Sequence, residues 1–234
     1  MPLFFGIDPL YIMMMAPVLI LSAFASWKVK SSFNKYSKVR TRSGLTGAEV
    51  ARKILDRHGL RDVSVVETHG FLSDHYDPLK KVVRLSHDVY ANSSIAALGV
   101  AAHETGHAIQ HKEAYKPLVL RNMVVPVASI GSNFSWIIII AGLAMGALGI
   151  VKIGILLFSI VVLFQLITLP VEFDASSRAK KILASEGIVS GQELSGVSSV
   201  LSSAAMTYVA AATSAIMTLL YFLIRAGIIG GSRD

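Results

Sequence analysis

The chain contains no cysteine, which excludes disulfides and thiolate ligands, agrees with a reducing compartment, and leaves any bound metal to nitrogen and oxygen donors. Charge is scarce as well. Only 16% of the 234 residues are Asp, Glu, Lys or Arg, against 53% hydrophobic residues and a mean hydropathy of +0.59. That balance is too apolar for an ordinary soluble domain and points to a membrane protein. No repeat or low-complexity tract stands out. Net charge is +7, with an isoelectric point near 9.7, and in a soluble protein such an excess suggests nucleic acid. Here the basic residues gather beside an apolar run, so membrane orientation accounts for them and no nucleic-acid partner is expected.

What is present centres on His103 to His111, reading HETGHAIQH. His103 and His107 stand four apart on a predicted helix, so both imidazoles leave one face, one turn apart, at a spacing that grips a single ion. Glu104 lies between them, where its carboxylate can take a proton from a water at the metal. This is the H-E-x-x-H pattern of zinc peptidases. The flanks, Ile95 to Ala102 and Ala108 with Ile109, are small and apolar. The helix therefore reads as buried, and a buried helix carrying two histidines and a glutamate is costly unless a metal resolves it.

The rest of the chain divides around this helix. Residues 1–27 read as an N-terminal transmembrane segment, with a nearly uncharged run over Tyr11 to Trp27. A cleaved signal peptide is disfavoured because no Lys or Arg precedes the run. Lys28, Lys30, Lys35, Lys38, Arg40 and Arg42 follow it instead, which places the following segment in the cytoplasm. Residues 28–123 read as a small cytoplasmic domain. Thr46 and Glu49 form a capping box for a helix with Val50, Ala51, Ile54 and Leu55 on one face, closed by Gly59. Val63 to Glu67 and Lys81 to Ser86 read as strands of a hairpin around the turn-rich GFLSDHYDP, and Asn92 or Ser93 as the cap of the motif helix. An exposed strand edge there offers main-chain pairing to an extended peptide, or simply roofs the core.

Residues 124–169 are long enough for a transmembrane hairpin, with its turn expected near Gly149, Lys152 and Gly154. Gly142 and Gly146 form a G-x-x-x-G compatible with close helix approach. Residues 170–203 return to the cytoplasm, where Arg178, Lys180 and Lys181 restore positive charge, and 204–234 hold the last transmembrane helix and a tail. The fold expected is a mainly α integral membrane protein of about four transmembrane helices, with a small α+β zincin-like cytoplasmic domain carrying the HExxH helix. Such a protein is expected in the plasma membrane.

A hydrolytic zinc site keeps three protein ligands and an open position. The third donor must lie on the cytoplasmic side, and Glu172 in LPVEFDASSRAKK leads, as an acidic residue at the membrane edge that needs a partner. Gln165 and Thr168 would continue it as a polar stripe. Asp174 is a rival, or an acceptor for a ligand imidazole. His111 is a second rival but lies two turns from His103, about 12 Å by helical rise. His75 and Tyr76 are candidates to stabilise the transition state, or merely the turn they occupy. His58, His69 and His87 read as surface or satisfied histidines.

HETGHAIQH, SDHYDP with VRLS, and LPVEFDASSRAKK together resemble the YugP-type neutral zinc metallopeptidases of bacterial membranes, and the resemblance runs nearly end to end. It implies peptidase activity, with His103 and His107 as zinc ligands and Glu104 as base. More distantly the chain is similar to HtpX/Ste24-type membrane peptidases, in which an E-x-x-x-D motif supplies the third ligand. Glu172 matches its first position, but Ser176 stands where the Asp would be. The mechanism expected is hydrolysis at one Zn2+ held by His103, His107 and Glu172, which lowers the pKa of water toward about 7 while Glu104 moves the proton. A protein or peptide substrate and the lipid bilayer are the expected partners, and no residue pattern specifies an oligomeric state. Competing assignments are a scaffold with a structural zinc site, which would need a fourth protein ligand, and a metal carrier, which would place its ligands near mid-membrane.

Overall fold

A computed structural model describes residues 8–230. Among them the chain is mostly helical with a small mixed sheet. The elements are α1 Pro9–Tyr36, α2 Gly47–Arg57, β1 Ser64–Thr68, β2 His75–Asp77, β3 Val82–Ser86, α3 His87–Tyr90, α4 Ile95–Lys112, α5 Lys116–Ala144, α6 Leu148–Ser185 and α7 Gly191–Arg225. Among the described residues α1, α5, α6 and α7 are long and apolar enough to cross a membrane. All four exceed the apolar runs that announce them, because hydropathy marks the lipid-facing stretch while a helix continues until its backbone is capped. The 38 residues of α6 span about 57 Å at 1.5 Å per residue, nearly twice the ~30 Å of a bilayer's hydrocarbon core. Much of α6 must therefore run outside the apolar layer.

The described residues form two compact units. One takes residues 8–24, Leu120–Leu169 and 207–230. Its core joins Ile139 of α5, Val151, Ile155, Phe158 and Val162 of α6, and Ala215 and Phe222 of α7, with the Phe222 ring 5.0 Å from that of Trp136 in an edge-on contact. The turn between α5 and α6 falls at residues 145–147, earlier than Gly149 to Gly154, and Lys152 lies inside α6. Gly146 explains the difference, since it takes the left-handed φ of +64° that ends α5. It is thus a turn residue rather than half of a packing motif. Gly154 is helical, and a Cβ there would lie 2.5 Å from Ile139 Cγ1, so this glycine serves close helix packing. Thr168, offered as part of a polar stripe, bonds its hydroxyl to Phe164 O of its own helix at 2.8 Å.

The other unit takes Ala25–Val119 and Pro170–Met206. Here α2 forms as its sequence demands: Thr46 and Glu49 close both halves of the capping box, and Val50, Ala51, Ile54 and Leu55 are buried. They pack with Val83 and Leu85 of β3, with Leu98, Ala101 and Ala102 of α4, and with Ala179 and Leu183 of α6. The sheet order is β1-β3-β2. The expected hairpin between the first and last strands is wrong, because β1 and β3 run parallel, Ser64 opposite Val82. The antiparallel partner of β3 is β2, His75 opposite Arg84, inside the stretch that reads as turn. A parallel pair needs a crossover of about a dozen residues, and the segment between β1 and β3 is long enough to supply one that contains β2. Its tight return is an Asx turn, in which Asp77 Oδ1 accepts from the N–H groups of Leu79 and Lys80 at 3.0 and 3.1 Å.

The cap of α4 is Ser94, whose Oγ accepts from Ala97 N at 3.2 Å, rather than Asn92 or Ser93. Ser93 is committed elsewhere, its carbonyl accepting from both the N–H and the hydroxyl of Thr41. The segment before α2 therefore pins the start of the motif helix.

Candidate metal centre

The α4 sequence buries almost every position from Ile95 to Gln110, so its polar residues are held without solvent to share them. His103 and His107 project from it with ring centroids 4.8 Å apart. Glu172 enters from α6, 3% exposed, with Oε2 at 3.3 Å from His103 Nε2 and 3.6 Å from His107 Nε2. The three donor atoms lie within 4.8 Å of one another. Two donors on one tetrahedral ion, each bonded at about 2.0–2.1 Å, stand about 3.3 Å apart. The donor set fits zinc: two imidazole nitrogens, one carboxylate oxygen and no thiolate. Among the described residues the group has three members, the number found at catalytic zinc sites, whereas structural sites are closed by four.

Close approach of α6 depends on a glycine inside the motif. A Cβ on Gly106 would stand 2.9 Å from Ala175 O and 3.3 Å from Ala175 Cα, so any side chain there meets the backbone of α6. Gly106→Ala is expected to cost about 1–3 kcal/mol, the usual penalty of overpacking. A wild-type melting temperature for purified Gly106→Ala would mean that α6 is not seated against this residue.

Each imidazole is held from behind. Ser176 Oγ lies 3.1 Å from His103 Nδ1, so Ser176 meets one of the two clustered histidines. His107 Nδ1 lies 3.0 Å from Gln110 Oε1. Gln110, fully buried, donates from Nε2 to Val171 O and to Asp174 Oδ2, both at 2.8 Å. Asp174 thus reaches His107 through Gln110 and not directly. Its Oδ2 also accepts from Arg178 Nε at 2.5 Å, and Arg178 Nη1 donates to Glu113 at 2.6 Å. Burial opposes protonation of His107, but the carboxylates of Glu172 and Glu104 outweigh it and hold the ring above the ordinary histidine range.

Glu104 is 8% exposed. Near it lies Asp74 of SDHYDP, whose carboxylate accepts from Ser86 N at 2.7 Å and from Ser86 Oγ at 3.1 Å. Burial pushes the Asp74 carboxyl above the usual range, the Ser86 bonds pull it back, and the charge of Glu104 raises it again. Asp74 and Gln110 fall inside SDHYDP and HETGHAIQH, but residue type and spacing alone assign neither of them a role. The other candidates have partners of their own. His75 is exposed, with Nδ1 2.8 Å from Ser73 O. The Tyr76 hydroxyl is 2.9 Å from His111 Nδ1, so both residues are engaged with each other. His58 and His87 are satisfied by Ile54 O and Glu67 respectively.

A membrane protein whose buried helix carries two histidines against a carboxylate from a second helix has the makings of a membrane zinc peptidase, and comparison with known proteins agrees. The chain belongs to the family described as "Putative neutral zinc metallopeptidase", whose model matches residues 11–227. It is similar to the "Putative membrane protease YugP" of Bacillus subtilis (strain 168), 53% identical over 214 residues that cover 92% of this chain and 95% of that protein. No solved structure matches.

Proposed function

We propose that the protein is a membrane zinc metalloendopeptidase, cleaving peptide bonds of protein or peptide substrates at the cytoplasmic face of the plasma membrane. The observation that carries this is the meeting of His103, His107 and Glu172 beside a buried Glu104. His103, His107 and Glu172 would hold one zinc ion, which would supply Lewis-acid polarisation of the scissile carbonyl and lower the pKa of water. Glu104 takes a proton from the attacking water as its oxygen bonds to the carbonyl carbon. It then returns that proton to the amine nitrogen as the C–N bond breaks. Burial of Glu104 limits exchange of that proton with bulk solvent.

Residues 28–123 and 170–203 make up the catalytic, water-facing part in this reading, and 1–27, 124–169 and 204–234 the membrane part. The basic runs after Trp27 and at Arg178 to Lys181 support a cytoplasmic site, since both flank apolar segments on the side that carries the catalytic residues. His75 and Tyr76 belong to β2, where His75 Nδ1 meets Ser73 O and the Tyr76 hydroxyl meets His111, and no step of this mechanism is assigned to them.

The test is metal removal. Purified protein treated with a zinc chelator is expected to stop cleaving an unstructured protein substrate and to recover when one equivalent of zinc is returned. Cleavage that continues at the untreated rate after zinc is shown to be absent would overturn the assignment.

A further inference from the structure

We propose that Gln110 is a positioning residue of the metal centre: its single buried carboxamide aims His107 Nε2 at the Glu172 carboxylate and fastens the Glu172 turn of α6 to α4. The inference rests on His103, His107 and Glu172 being the zinc ligands. A carboxamide has one oxygen that only accepts and one nitrogen with two hydrogens to give, and every one of these is used. The oxygen faces His107 Nδ1 at 3.0 Å, and the nitrogen donates to Val171 O and Asp174 Oδ2, both at 2.8 Å.

The orientation cannot invert, because a turned amide would set its oxygen against the carbonyl of Val171 and the carboxylate of Asp174. Asp174 is itself fixed by Arg178. With the amide oxygen against it, His107 Nδ1 carries the proton in the neutral ring, which leaves the Nε2 lone pair as the one available to a metal. Ser176 imposes no such choice on His103, since a hydroxyl both donates and accepts. Val171 directly precedes Glu172, so the bond to its carbonyl fixes the backbone from which the third donor projects. Packing alone does not account for the residue: at 0% exposure a carboxamide is unfavourable unless bonded, and a methionine of similar size fills the space without that cost.

The experiment measures zinc affinity of the full-length protein in detergent by competition with a chromophoric chelator. The variants are Gln110→Met, Gln110→Glu/Asp174→Asn and His103→Ala. Gln110→Met is expected to weaken zinc binding about 10–100-fold, the usual effect of removing the partner of a ligand histidine. In the double variant the new carboxylate accepts from His107 Nδ1–H and from the new amide at 174 but has no hydrogen to give Val171 O, so affinity is expected to recover part of the loss and to stay below wild type. A space-filling residue would show the opposite pattern, with Gln110→Met near wild type and the double variant no better. Gln110→Met holding zinc within about twofold of wild type while His103→Ala loses it overturns this proposal and spares the ligand assignment. A double variant no tighter than Gln110→Met also overturns it. A wild-type protein that takes up no zinc overturns the ligand assignment, and this proposal with it.

Discussion

Glu104→Gln is expected to keep its zinc and lose hydrolysis, with turnover down by about 10²- to 10⁴-fold, or roughly 3–5 kcal/mol of transition-state stabilisation. The substitution conserves volume and shape, so it leaves the packing of α4 intact. Glu104 is 8% exposed, and the three side chains assigned to the ion are elsewhere, on His103, His107 and Glu172. What changes is one atom's capacity to hold a proton, since an amide accepts hydrogen bonds but does not take up a proton near neutral pH. Metal content and turnover should therefore separate. Metal analysis of the purified variant beside a progress curve on an unstructured substrate reads both. Undiminished turnover would remove Glu104 from the reaction, and loss of zinc together with activity would make it a ligand instead of a base.

The legible and illegible parts of this site differ in how far apart their partners lie. His103, Glu104 and His107 share one helical turn, so spacing alone brings them together. Glu172 is remote in sequence, yet an acidic residue at the end of an apolar run announces itself by its cost. Gln110 gives no such signal. It is an uncharged side chain in a helix of small residues; His107 lies three positions back, but the two acceptors that orient its amide stand 61 and 64 positions away, so its role exists only once α4 and α6 are packed. Gly106 is silent for the same reason, because what it admits is the backbone of a distant helix. The sheet shows the limit of local pattern. β1 and β3 alternate well enough to be read as strands, but their parallel pairing depends on β2, a three-residue strand inside a segment rich in turn formers. The capping box of α2 lies at the other extreme, since every atom of it falls within four consecutive residues and it forms as written.

Glu172→Ala is expected to lose zinc by a larger factor than any change behind the ligands, more than about 100-fold, and to fall to background hydrolysis. The carboxylate is 3% exposed and brings its Oε2 to the Nε2 atoms of His103 and His107, at 3.3 and 3.6 Å. Without it only the two imidazoles remain, and no anionic donor offsets the charge of the ion. The fold is expected to survive, because α4 and α6 stay joined through Gln110 to Val171 and Asp174 and through the seat of Gly106 on Ala175. Glu172→Gln distinguishes loss of charge from loss of volume. It keeps an oxygen donor in place without the negative charge, and its affinity should fall between those of wild type and Glu172→Ala. His111→Ala is the matching control, since His111 is bonded to Tyr76 and stands outside the cluster, so its zinc content should remain that of the wild type. Were Glu172→Ala to hold zinc as tightly as wild type while His111→Ala released it, the third donor would have to be sought on α4 itself.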